Sequence, residues 1–299
     1  MGADRTPARH GTGPEEEDTL DLAPADFGIP ETTGLPLHAE HARKVAAVLD
    51  SPLDPRDGDP LPALWHWAFG TPATPTGGLG PDGHPRIPPG GPAEGLPRRM
   101  WAGGRVRILG GLTLGTAPVR TSSILRADRK QARSGELLLV TVEHRLALDG
   151  ETLLVEEQDL VYRAQGAPAP LPEGAHREPA PEGGWAEELV RGPVDLFRFS
   201  AVTFNSHRIH YDHAYATAEE GYPALVVHGP LSALTLAESV RARTGRDLVG
   251  FSFRATAPLF ADVPFTLVGA PGAEKDVYDL KIVRNDGQTA MTAAARVAG

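Results

Sequence analysis

The sequence predicts an α+β protein assembled twice over from a helix and a curved antiparallel sheet. Three observations carry that expectation. Strand-like runs rich in aliphatic and β-branched residues fall into two groups. One holds Arg105–Leu109, Val119–Leu125, Glu136–Leu148 and Thr152–Ala164; the other holds Leu248–Thr256, Pro264–Gly269, Val277–Asn285 and Gln288–Ala298. Each group is preceded by helical spacing. In Leu35–Asp50, Ala42, Val45, Val48 and Leu49 share one side while Glu40, Arg43, Lys44 and Asp50 share the other; Pro223–Gly245 begins as a turn and becomes an amphipathic helix closed by Gly245. The last hairpin of each group turns on the same dipeptide, Asp149-Gly150 and Asp286-Gly287, a strong hairpin signal because tight turns need positive φ. A sheet wrapped around a central helix, duplicated and set side by side, is the geometry of a double hot-dog. With 34 glycines and 29 prolines in 299 residues, a helical bundle or coiled coil is excluded.

The organisation follows from composition. Residues 1–25 are polar and aperiodic and read as a disordered leader without the apolar core of a secretory signal. Residues 26–164 form the first half. The Pro/Ala/Gly-rich stretch opening at Gln165 reads as a semi-rigid linker through residue 189, and residues 190–299 form the second half. Within the first half, Gly and Pro fill about half of Gly70–Gly104, so regular structure is not expected there. Loops of that length in compact domains often carry function.

Net charge and cysteine content narrow the function classes. A formal charge of −10 repels phosphate backbones, so no nucleic-acid partner is expected despite the basic run Arg126–Arg133. No apolar run approaches a membrane span, and the chain is expected to be cytoplasmic. The absence of cysteine excludes thiol nucleophiles and zinc ribbons. No G-x-S-x-G nucleophile elbow occurs, and Gly77–Gly83 lacks the strand and helix that a dinucleotide fingerprint needs.

Polar chemistry concentrates in Phe199–Asp212. His207, His210 and His213 recur there at a spacing that a helix would bring to roughly one face, where a metal is conceivable. Solvated or core histidines are the alternative, and spacing alone leaves both open. Elsewhere Trp65, His66 and Trp67 read equally as pocket lining or core. Arg98 and Arg99 read as a solvated basic pair, and Glu156, Glu157 and Asp159 as an exposed strand face.

The segment Phe204–Ala216 (FNSHRIHYDHAYA), followed by Val226–Leu231 (VVHGPL), resembles the MaoC-like (R)-specific enoyl-thioester hydratases and dehydratases. The likeness is to the branch holding 3-hydroxyacyl-thioester dehydratase type 2 and mesaconyl-C4-CoA (3-methylfumaryl-CoA) hydratase. Asp59–Phe69, Leu96–Val106 and Glu156–Arg163 are also similar to that branch. The resemblance implies a hydro-lyase acting on an acyl-CoA or acyl-carrier-protein thioester, without cofactor or metal, as a homo-oligomer such as a homodimer. The wider family's motif, Asp-x-Asn-Pro-aliphatic-His-x-Asp, places His210 at the catalytic histidine, His207 at the asparagine and Asp212 at the trailing aspartate. Asn205 stands where the catalytic aspartate would be, and an amide cannot take a proton. It can orient water, leaving His210 as the acid/base. His228 and Gly229 are expected to receive the thioester carbonyl at a helix start. Trp65, Trp67 and His207 are expected in the acyl pocket. The expected substrate is a short branched dicarboxylyl-CoA. A 3-hydroxyacyl-CoA or acyl-carrier-protein dehydratase and a non-catalytic thioester-binding subunit are the alternatives.

Overall fold

A computed structural model describes residues 22–132, 135–164, 166 and 170–299; most of the expected leader lies outside the described residues. The strands β1 (Thr32–Gly34), β2 (Arg98–Ile108), β3 (Val119–Ala132), β4 (Gly135–Leu148) and β5 (Glu151–Arg163) come from the first half. The second half supplies β6 (Trp185–Leu189), β7 (Leu248–Ala255), β8 (Phe265–Pro271), β9 (Val277–Arg284) and β10 (Thr289–Val297). All ten join one antiparallel sheet in the order β1-β3-β4-β5-β2-β7-β10-β9-β8-β6. Read outward from the β2–β7 seam, the two halves repeat the same strand order, as duplication demands. β6 falls inside the span expected as linker, yet it pairs with β8 over Trp185–Leu189 and so belongs to the second sheet.

β2 begins as early as Arg98, within the stretch expected to be irregular, because Arg98–Trp101 pair with Leu160–Arg163 of β5 before Gly103–Arg107 reach the seam. Gly103 and Gly104 look like breakers in sequence, but a Cβ at 103 would stand 2.7 Å from the Phe253 carbonyl oxygen. One at 104 would stand 2.8 Å from that of Glu157. Glycine here lets β7 of the other half and β5 of its own close on β2.

The halves differ in their helices. α1 (Ala39–Val48) packs against α2 (Pro193–Val202), so these two are the equivalent pair. α4 (Gly229–Thr244) runs against β7, β8, β9 and β10 as the central helix of the second sheet. No counterpart of α4 lies against the first sheet among the described residues. The expectation of a central helix in both halves is corrected: within Leu35–Asp50 only α1 forms, with Ala42 and Val45 buried, and it packs on α2 rather than inside a sheet. Part of the first sheet's face is covered by a small separate core in which Phe27, Ala93 and Leu96 meet Leu138, Val140, Leu160 and Tyr162. The remainder opens into a cavity.

Candidate active site

That cavity has a volume of about 810 Å³ and is lined by both halves. Its catalytic-motif wall starts where α2 ends. Asn205 N–H donates to the Ser200 carbonyl at 2.8 Å, and Phe204 takes a positive φ of 51° to turn the chain. A short turn follows over Arg208–His210, then α3 (His213–Ala218), capped by the Asp212 carboxylate on the Tyr215 N–H at 3.1 Å. Arg208 pairs with Asp212 at 2.7 Å, which fixes the trailing aspartate as a structural brace.

His210 lines the cavity and is itself buried. Its Nδ1 lies 2.7 Å from the Val226 carbonyl oxygen. A carbonyl only accepts, so Nδ1 carries the proton and Nε2 is a bare acceptor. Burial pushes the His210 pKa down to about 4, against the opposing pull of that carbonyl. The carbonyl is held in place because Val226 N–H donates to Ile209 and Val227 N–H donates to Leu259. His210 is therefore neutral and tautomerically fixed, the state a proton acceptor needs.

The other expected residues take distinct places. The His228 side chain is 1% exposed and stacks on the His210 ring at 3.6 Å; its Nε2 is 2.9 Å from Ser200 Oγ. It does not line the cavity, whereas Gly229 does. Gly229 heads α4, where its N–H has no carbonyl one turn behind to receive it and lies at the positive end of the helix dipole. Asn205 lines the cavity, with Oδ1 accepting from the His207 N–H at 3.0 Å. His207 lines it as well, its ring 5.4 Å from that of His210, and burial holds its pKa well below the ordinary 6.5. Trp67 lines the cavity, but Trp65 is a fully buried core residue whose Nε1 donates to Glu238 at 2.8 Å.

Two expectations for charged residues are corrected. Glu156 is not on an exposed face: it is 4% exposed and lines the cavity. Its two oxygens meet His66 Nε2 at 3.0 Å and Trp67 Nε1 at 2.8 Å. Burial alone would raise its pKa, but the His66 hydrogen bond and the nearby imidazoles hold it below the usual carboxylate range. Glu157 and Asp159, on the opposite face of β5, pair with Arg105 at 2.8 and 2.9 Å. Arg98 is likewise buried and ion-paired with Glu220 at 2.8 Å, tying β2 to the segment after α3.

Sequence reasoning missed Asp82 and His84. They sit in the irregular Gly/Pro-rich stretch and line or flank the same cavity, with His84 in its wall. His84 Nδ1 lies 2.9 Å from Asp82 Oδ2, and its ring centroid is 4.0 Å from that of His207. The Asp-Gly-His spacing was the available signal, but nothing local connects it to residues 205–210. Asp82, His84 and His207 also bring one ligand-capable atom each within 4.8 Å of one another. This is the metal-competent group among the described residues, and it differs from the His207–His210–His213 set suggested by spacing.

Two continuous antiparallel half-sheets, one central helix and a fixed imidazole opposite that helix's N-terminus define a MaoC-like hot-dog hydro-lyase. The model of the hydroxyacyl-thioester dehydratase type 2 family matches residues 64–261, and the chain belongs to that family. It is 44% identical to a mesaconyl-C4-CoA hydratase of Chloroflexus aurantiacus over 255 residues, covering 85% of this chain and 90% of the relative. It is 30% identical to the mitochondrial hydroxyacyl-thioester dehydratase type 2 of Schizosaccharomyces pombe over 128 residues, 42% of this chain and 40% of the relative. In fold it is similar to a MaoC-like dehydratase from Phytophthora capsici, with a TM-score of 0.65 at 12% identity over 89% of this chain and 95% of the other. It is also similar to HtdX from Mycobacterium tuberculosis, with a TM-score of 0.63 at 17% identity over 89% and 99%. The chain is an acyl-thioester hydratase/dehydratase. No helix among the described residues is long and apolar enough to cross a membrane.

Proposed function

We propose that the chain hydrates mesaconyl-C4-CoA to citramalyl-CoA, with His210 as the acid/base. The observation that carries the chemistry is the bare Nε2 of His210, in the wall of a cavity that Gly229, the first residue of α4, also lines. The extent and identity of the likeness to the Chloroflexus hydratase support the acyl group. His210 Nε2 takes a proton from water as the oxygen bonds to C3 of the enoyl thioester. The C2–C3 π electrons move toward the thioester carbonyl, whose oxygen gains charge beside the Gly229 N–H and the positive end of α4. The imidazolium then returns its proton to C2. One water is added and His210 is restored.

Dehydration of a 3-hydroxyacyl thioester uses the same parts in reverse, and the family match to residues 64–261 favours it as the second reading. In both readings the substrate thioester is carried by CoA or acyl carrier protein in the cytoplasm. A second copy of the chain is the expected partner, supported by the apolar Val194 and Phe197, 70% and 63% exposed on α2; sedimentation of the purified protein tests it. The test of function is loss of the enoyl-thioester absorbance band with a panel of CoA esters. Fastest turnover is expected with mesaconyl-C4-CoA. Preference for an unbranched chain without the second carboxylate would select the dehydratase reading.

A further inference from the structure

A water molecule attacks well when a lone pair faces the electrophilic carbon, which requires both of its hydrogens to be accepted by the protein. His210 Nε2 accepts one. Asn205 has at most one lone pair left for the other, because Oδ1 already accepts the His207 N–H at 3.0 Å and Nδ2 only donates. His207 lines the cavity, but no side-chain hydrogen bond among the described residues fixes which of its nitrogens carries the proton. His84 does meet the requirement. Asp82 is ionised, its pKa held down by the His84 hydrogen bond against the upward push of burial. A carboxylate only accepts, so His84 Nδ1 is the protonated nitrogen and Nε2 is bare. Burial also lowers the His84 pKa, with Asp82 pulling it up and Arg99 pushing it down, so the ring is neutral at physiological pH.

The loop that carries His84 is built onto the catalytic motif. Arg208 N–H donates to the Asp82 carbonyl at 2.8 Å and Arg208 Nη1 donates to that of Pro81 at 3.0 Å. Ser206 Oγ–H donates to the Gly83 carbonyl. Gly83 takes a φ of +89°, and a Cβ there would lie 1.9 Å from the Ser206 carbonyl oxygen. Only glycine allows that approach. Every backbone group in this clamp belongs to Pro81–Gly83 or Ser206–Arg208, so the clamp sets the His84 ring against that of His207, which lies 5.4 Å from the His210 ring, across the boundary between the halves.

We propose that His84, oriented by Asp82, is a second catalytic residue that accepts the other hydrogen of the attacking water. The inference rests on the hydratase reading of the site. His84 gains no proton in the step: the hydrogen it accepts stays on the oxygen that becomes the product hydroxyl. The proton taken by His210 goes to C2. The first half thus contributes to the chemistry, with a residue from its irregular loop supplying an acceptor beside His210.

The test compares wild-type protein, His84→Ala and Asp82→Asn in steady-state hydration, with thermal unfolding and elemental analysis alongside. For His84→Ala, kcat is expected to fall by ~10²-fold, with KM and melting temperature close to wild type. Added imidazole should restore part of that rate, which it cannot do for a residue that merely shapes the loop. Asp82→Asn should fall between wild type and His84→Ala, because the ring stays but its tautomer is no longer enforced. A His84→Ala enzyme within a few-fold of wild-type kcat would overturn the proposal. So would a loss accompanied by altered KM and stability without imidazole rescue. One retained equivalent of metal in the purified protein would overturn it too, since His84 and His207 would then be ligands. Wild-type protein that hydrates no enoyl thioester would remove the hydratase reading and this role with it, an outcome distinct from an active wild type with an indifferent His84.

Discussion

As the proposed base, His210 works only while unprotonated, and burial sets where that holds. With its pKa at about 4, the acidic limb of kcat/KM for the free enzyme is expected near pH 4, well below the ordinary imidazole range. Asn205→Asp should move that limb upward, because a carboxylate beside the ring stabilises its charged form and the base then loses its proton at higher pH. Activity should persist, since one oxygen can still accept the His207 N–H. Asn205→Ala removes that link and should lower kcat. A pH–rate series on the three proteins checks both, and a limb that ignores Asn205→Asp would place residue 205 outside the field of His210. The place of His210 in the cavity wall was legible in the sequence because its motif is contiguous. That of His84 was not, because it arises from packing against residues far along the chain. Glu156 was legible in principle: strand alternation puts it with Leu154, Gln158 and Leu160 rather than with Glu157 and Asp159. Reading the acidic run as one face obscured that.

At the scale of elements, the Asp-Gly hairpins and the strands around them could be read directly. In the β4–β5 turn both Asp149 and Gly150 have positive φ, 50° and 85°, as a two-residue hairpin turn requires. The β9–β10 turn uses positive φ at Gly287 alone and is followed by a register shift between Thr289 and Met291, so equal dipeptides close different turns. Helix equivalence could not be read, because amphipathic spacing says that a helix is half-buried and not against what. α1 fits that pattern, but the amphipathic helix expected within Pro223–Gly245 does not: α4 is buried at Leu231, Ser232, Ala233 and Leu234 in succession, as a helix enclosed by a sheet must be. With no counterpart of α4 among the described residues, the cavity is left open. The loop carrying Gly83 is the element on which the site's assembly depends. Gly83→Ala combines an unfavourable φ with a backbone collision and should force Pro81–His84 off the motif. We expect kcat to fall by at least ~10-fold with a measurable drop in melting temperature. Unchanged kinetics would mean the clamp is dispensable.

For the whole molecule, the β2–β7 seam makes the halves one sheet. Expressed alone with its own β6, as residues 185–299, the second half would expose the β7 edge that now pairs over Gly250–Arg254 with Gly103–Arg107. It would also bare the α2 face that meets α1, so poor solubility is expected. A soluble and fully active fragment would contradict the two-half account. Acid stability is a second whole-molecule property. Burial lowers the pKa values of His84, His207, His210 and His228. As pH falls below the unfolded value of about 6.5, the unfolded chain binds protons that the folded one refuses. Stability is therefore full above that value and is lost toward pH 4, with His210 alone contributing on the order of 3 kcal/mol. Melting temperature measured from pH 7 to pH 5 should fall steadily, and His210→Ala should flatten part of the slope.

The central claim is that one chain adds water across an enoyl-CoA through His210, with both halves present. The direct measurement is mass spectrometry of the CoA product after incubating mesaconyl-C4-CoA with the purified full-length protein in isotopically labelled water. The wild type is predicted to give citramalyl-CoA heavier by one labelled oxygen and carrying one solvent-derived hydrogen at C2. His210→Ala should fold normally and form it at least ~10²-fold more slowly. Unchanged ester with the wild type, or equal product with His210→Ala, would contradict the account.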